Sequence, residues 1–309
     1  MGRPRHPTQY SDPVSDAPRI TRRGLLVGGA AVIAAGAVGV AAVDAGLVPG
    51  RSTLYRLLGG NGEPGTIPDV EPGPFVEGDF VSDFRLGVSC GWAISYPPGY
   101  VHGDSLPVLV VLHGYGVDHR AAFDRLGLDR FLADAVANGA TPFAIASVDG
   151  GDSYWHPRDS GEDSARMIIN EFLPLLAERW LQTERIALLG WSMGGYGALY
   201  LAHLLEPRRV AAVVAESPAL WSDYAATPPG AFDDEADYVQ SAVQGRQSAL
   251  DGIPVRIDCG TGDAFYPETR DYVRGFTTPP AGGFQEGGHD FAYWTRMAPE
   301  QLAFVAAQF

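Results

Sequence analysis

The chain has 309 residues, 46% of them hydrophobic, enough apolar material for one large domain with a packed core, and this excludes disorder throughout. A formal charge of −15 argues against nucleic acid as a partner, and because all 22 basic residues are arginine, lysine Schiff-base chemistry is excluded. Two cysteines, Cys90 and Cys259, make neither a disulfide framework nor a zinc site and read as small buried residues, and the seven histidines show no metal-ligand spacing.

In chain order, residues 1–23 are polar and carry Arg3, Arg5, Arg19, Arg22 and Arg23, and Gly24 to Val43 is then a run of twenty residues without a charge. The junction Thr21-Arg22-Arg23-Gly24-Leu25-Leu26 resembles a twin-arginine export signal, with the basic side kept in the cytoplasm. Val40-Ala41-Ala42 offers small residues for cleavage, while twenty uncharged residues also suffice to span a bilayer, so residues 1–48 are expected to be an export signal or a membrane anchor. Residues 49–80 follow as a Gly/Pro-rich linker, and 81–309 as the catalytic domain.

Apolar runs of strand length are predicted over 84–95, 107–113, 142–148, 185–189, 210–215 and 254–258. Helices are predicted between them over 124–137, 163–180, 193–205 and 233–250, with a last one over 291–308. Nearly continuous apolar strands alternating with helices predict an α/β fold with a mostly parallel sheet covered on both faces, in which chemistry collects at the carboxyl ends of the strands.

Gly190-Trp191-Ser192-Met193-Gly194 lies between a short buried strand and a helix, the setting of a G-x-S-x-G nucleophile elbow. Gly190, Gly194 and Gly195 let the chain turn sharply enough to lift the Ser192 hydroxyl above the sheet edge. A hydroxyl needs a base to become nucleophilic, and His289, after Gly287-Gly288 and before the last helix, has the right place in the order Ser, acid, His. The acid falls between them: Asp263 ends Cys259-Gly260-Thr261-Gly262-Asp263 just beyond a strand, with Asp258, Glu268 and Asp271 as competitors. Two backbone N–H groups should hold the oxyanion, Met193 after the nucleophile and Tyr115 or Gly114 after Leu112-His113, with His113 supporting that loop. Tyr154 and Trp155 are the candidate substrate-binding aromatics, and Asp233, Asp234, Glu235 and Asp237 read as the solvated start of a helix.

Taken in order, Tyr96-Pro97-Pro98-Gly99-Tyr100, Leu112-His113-Gly114, Asp149-Gly150-Gly151, the elbow, the Asp263 turn and Gly287-Gly288-His289-Asp290-Phe291 resemble the α/β-hydrolase esterases that include esterase D, feruloyl and enterochelin esterases and the mycobacterial mycolyltransferases. The likeness covers roughly residues 84–309. It implies a cofactor-free mechanism through an acyl-serine ester, and substrates that are small-molecule or lipid esters. Release would be by water, making the chain an extracytoplasmic esterase, or by a cell-envelope alcohol, making it an acyltransferase. Mycolyltransferases often carry glutamate as the acid, so Asp263 tilts the expectation toward hydrolysis.

Overall fold

A computed structural model describes residues 50–309, and the expected export segment lies outside the described residues. Among the described residues no helix is long and apolar enough to cross a membrane.

Eight strands, β1 (Phe75–Ser82), β2 (Val88–Ser95), β3 (Pro107–Leu112), β4 (Ala144–Val148), β5 (Gln182–Trp191), β6 (Val210–Glu216), β7 (Val255–Gly260) and β8 (Ala281–Gln285), form one sheet in the order β1-β2-β4-β3-β5-β6-β7-β8. Strands β1 and β2 are antiparallel to each other, β2 is antiparallel to β4, and β4 through β8 with β3 run parallel. The central strands are buried on both faces because successive side chains alternate between two cores. Val108, Val110 and Leu112 of β3 pack into one core, and Leu109 and Val111 into the other. Helix Met193–Leu204 and the helical stretch 164–177 cover the first face, while Leu128–Ala137 and Phe291–Ala306 cover the second. This is the mostly parallel α/β sheet expected from the pattern, and the α/β-hydrolase fold that the resemblance implies.

Some expectations need correction. The run 84–95 is not one strand: Phe84 to Gly87 form a tight turn, with Leu86 and Gly87 at φ of 56° and 82°, and the strand begins at Val88. Gly127, at φ 67°, breaks the helix predicted over 124–137 into Ala121–Asp124 and Leu128–Ala137. Pro174 has no N–H to continue an α-helical ladder, and the residues before it, Ile168–Phe172, widen into a π-helical segment inside the stretch 164–177. The helix predicted over 233–250 is only Glu235–Ser241, followed by a 3₁₀ turn at Gln247–Leu250.

The stretch read as a linker is laid onto the domain within its described part. Arg51–Leu57 is a helix, Gly65 N–H donates to Ala292 O at 2.8 Å, and β1 begins at Phe75 and pairs with β2 over its whole length. Glycines there serve close approach to the domain surface. A Cβ on Gly65 would lie 2.1 Å from the Arg296 nitrogen, and one on Gly73 2.1 Å from Tyr96 O.

Candidate active site

Ser192 sits where β5 gives way to helix Met193–Leu204, at φ 55° and ψ −120°, a backbone conformation that non-glycine residues rarely adopt. The turn that holds it is too tight for side chains on either flank. A Cβ on Gly190 would lie 2.0 Å from Gly194 O, and one on Gly194 2.0 Å from Leu112 O. Ser192 N–H donates to Glu216 O at 2.9 Å and Ala219 N–H to Ser192 O at 2.9 Å, so the end of β6 secures the strained residue.

His289 Nε2 lies 2.8 Å from Ser192 Oγ, and its Nδ1 lies 2.8 Å from Asp263 Oδ2. A carboxylate only accepts, so Nδ1–H donates to Asp263 and Nε2 is left to accept the serine hydroxyl proton. The Asp263 side chain is fully buried, and its other oxygen accepts Phe265 N–H at 2.9 Å. Edge-on contacts from Phe265 and Trp294, with ring centroids 5.2 and 5.0 Å away, hold the imidazole plane.

The competing acids are engaged elsewhere. Asp258 is buried within β7, where it accepts from Arg256 and from Gln301. Glu268 and Asp271 lie on helix Tyr266–Arg274, and Asp271 pairs there with Arg270 and Arg274. Glu216 is buried at the end of β6, where burial and then the Asp258 charge raise its carboxyl well above the usual range.

The loop after β3 comes up against the elbow, since the Leu112 and His113 carbonyls both approach Gly194 within the distance a Cβ would need. His113, fully buried, fixes the loop: Nδ1–H donates to Gly114 O at 2.8 Å and Nε2 accepts Gly150 N–H at 3.0 Å. Gly114 rests on the Trp191 ring, and the Tyr115 side chain is exposed.

Of the two candidate substrate aromatics, Trp155 requires correction. It is 1% exposed, bonded through Nε1 to His113 O, and packed against Gly150 and Gly197, so it supports the loop after β3 from within the core and is not placed to touch a ligand. Tyr154 and Trp155 both have left-handed backbone, at φ 58° and 59°, which turns the indole into the core. Tyr154 instead belongs to an arc of rings. Its centroid lies 6.3 Å from Tyr115 and 5.5 Å from Trp221, Trp221 lies 5.5 Å from Phe265, and Phe265 abuts His289. Burial pushes the Tyr154 phenol up to about 12, so it stays neutral. Trp221 and Phe265 escaped the sequence reading, although Phe265 stands two residues after the acid.

The segment after Trp221 is clasped to the loop 149–163. His156 is buried with Nε2 3.0 Å from Ala231 O and its ring stacked on Phe232, and Arg158 pairs with Asp233 at 2.7 Å. Asp234 caps helix Glu235–Ser241 by accepting Asp237 N–H, so the acidic stretch is a helix start in part and a clasp in part.

Comparison with known proteins agrees with this fold. No curated protein matches the chain. Among solved structures it is similar to a ferulic acid esterase, at 21% identity over 77% of this chain and 100% of that one, with a TM-score of 0.67. It is similar also to an S-formylglutathione hydrolase from Agrobacterium tumefaciens, at 17% identity over 79% and 98% of the two chains, TM-score 0.63. A fluorophosphonate-binding serine hydrolase of Staphylococcus aureus matches at 19% identity over 76% and 99%, TM-score 0.60. At these identities the likeness is one of fold. Residues 85–304, most of the catalytic domain, match the Esterase family, and the chain therefore belongs to that family, a serine hydrolase of carboxylic esters on the α/β-hydrolase fold.

Proposed function

We propose that the chain hydrolyses small carboxylic esters through an acyl-Ser192 intermediate, with His289 as general base and Asp263 as the acid that orients it. The observation that carries this reading is the unbroken relay from Ser192 Oγ through His289 to Asp263, both links at 2.8 Å. As Oγ attacks the ester carbonyl, its proton passes to Nε2, and the imidazolium is stabilised by Asp263. The tetrahedral oxygen is taken up by the Met193 N–H, at the first position of helix Met193–Leu204, and by the Tyr115 N–H on the loop held by His113. Collapse expels the alcohol, which takes the proton from His289, and water repeats the two steps to free the acid.

The arc from Tyr115 through Tyr154 and Trp221 to Phe265 begins on the loop after β3 and ends on His289, the ring bonded to Ser192. Flat apolar rings favour an aromatic acyl group over a long flexible chain. A structurally similar ferulic acid esterase from Anaeromyces mucronatus is described in complex with ferulic acid, which supports the same choice. The twin-arginine junction at Arg22-Arg23 supports an extracytoplasmic place of action.

The purified chain should be labelled by a fluorophosphonate and should cleave methyl ferulate and 4-nitrophenyl butyrate, and Ser192→Ala should abolish labelling and lower turnover by about a thousandfold or more. Labelling that persists in the variant would refute the assignment. Added glycerol should leave the yield of free acid unchanged, and its diversion into a new ester would point to acyl transfer.

A further inference from the structure

The acid and the base of the triad stand on two loops that are zipped together by their backbones. Thr261 N–H donates to Gln285 O at 2.7 Å and Gly262 N–H to Gly287 O at 2.8 Å. A relay held to a few tenths of an ångström needs both loops fixed from outside as well, and the strand ends alone leave their outer sides uncovered.

The segment from Gly50 to Ile67 covers them. Arg51, 6% exposed, donates through Nε to Thr261 O at 2.7 Å and lies over the Tyr266 ring at 4.6 Å. Thr261 and Tyr266 flank Asp263 on its two sides, and Tyr266 N–H itself donates to Asp263 O. Nη2 of Arg51 also bonds Tyr55 Oη at 3.0 Å, and Tyr55 packs so closely on Gly262 that a Cβ there would be 2.7 Å from the Tyr55 Cβ. One arginine thus grips both ends of the acid loop.

A second grips the base loop. Arg296, on the helix that follows His289, donates to Glu63 O of the strap and to Glu286 O at the start of the loop Glu286–His289. Asn61 faces Gly288, its Oδ1 3.7 Å from where a Cβ would stand. Gly65 N–H closes the strap on Ala292 O.

We propose that residues 50–67 form a strap that is part of the catalytic unit, with Arg51 as the positioning residue that holds the Asp263 loop, and through it His289, in register with Ser192. The proposal rests on the triad reading above.

The test uses the full chain, with active sites counted by fluorophosphonate labelling carried to completion, so that unfolded protein drops out of the rates. Arg51→Met keeps most of the aliphatic stem and removes the donors. It should lower kcat per titrated site on 4-nitrophenyl butyrate by about tenfold, with KM within twofold of the parent, and Arg51→Lys should restore part of it. A role confined to stability would lower the melting temperature and leave kcat per titrated site and the pH profile of kcat unchanged, and that result overturns the proposal. Should Arg51→Met fail to fold, Tyr55→Ala carries the same readout, and an unchanged kcat per titrated site there is equally fatal. A parent protein that labels and turns over while both variants match it defeats the strap alone; a parent that never labels defeats the triad reading and the strap's catalytic role together.

Discussion

Each residue of the relay is held by a neighbour that has no other option. Asp263 spends one oxygen on His289 and the other on Phe265 N–H, so the imidazole can present only Nε2 to Ser192. Asp263→Asn keeps the shape of this contact but lets the amide NH₂ donate to Nδ1, which turns the proton to Nε2 and removes the base. We expect kcat on 4-nitrophenyl butyrate to fall about 10³- to 10⁴-fold with KM little changed, a loss that steady-state kinetics measures directly. Ser192 and His289 were legible because an elbow between strand and helix, and a histidine after two glycines, are local patterns. Trp155 was misread for the opposite reason. An aromatic in a loop looks available to a ligand, and only the two successive left-handed residues reveal that its ring points inward.

The elements show why the elbow tolerates so little. Gly194 lies where helix Met193–Leu204 begins, directly under the carbonyl of Leu112 at the end of β3. Neither strand can retreat, because β3 and β5 are paired in the centre of the sheet. Gly194→Ala should therefore destabilise the fold by at least about 3 kcal/mol and abolish fluorophosphonate labelling, as read by urea denaturation and a gel of the labelled protein. The central strands were predictable from their apolar runs, whereas both edges were missed. Strand β1 is half-exposed and carries Gly78 in its middle, and β8, Ala281-Gly282-Gly283-Phe284-Gln285, has almost no side chains to pack. Such strands exist because a neighbour offers backbone partners, and no periodicity in their own residues records that.

At the scale of the whole molecule the half-buried His203 and the buried His156 lower stability on the acid side. Burial and the Arg246 charge push His203 down to about 4, and burial likewise lowers His156. His203 is therefore neutral in the folded chain near pH 6, while in the unfolded chain it takes up a proton below about 6.5, and His156 shifts in the same direction. Unfolded protein then binds more protons than folded, so stability is lost as the pH falls from about 6.5 toward 4. His203→Gln removes one of these groups, and urea denaturation at pH 7 and pH 4.5 should show the variant losing about 2 kcal/mol less than the parent between the two conditions. A parent whose stability stays flat over that interval would contradict the lowered His203.

The order of buried strands and helices, the strained serine between them and the set of candidate acids and bases follow from the sequence alone, because each is a matter of spacing within a few residues. The engagement of Asp258 by Arg256 and Gln301, the ring arc from Tyr115 to Phe265 and the contacts that lay the expected linker onto the domain were decided only in three dimensions. Those contacts join residues as far apart as Arg51 and Thr261, and what brings them together is the sheet order and the packing of loops at one end of it, which chain-local chemistry does not encode.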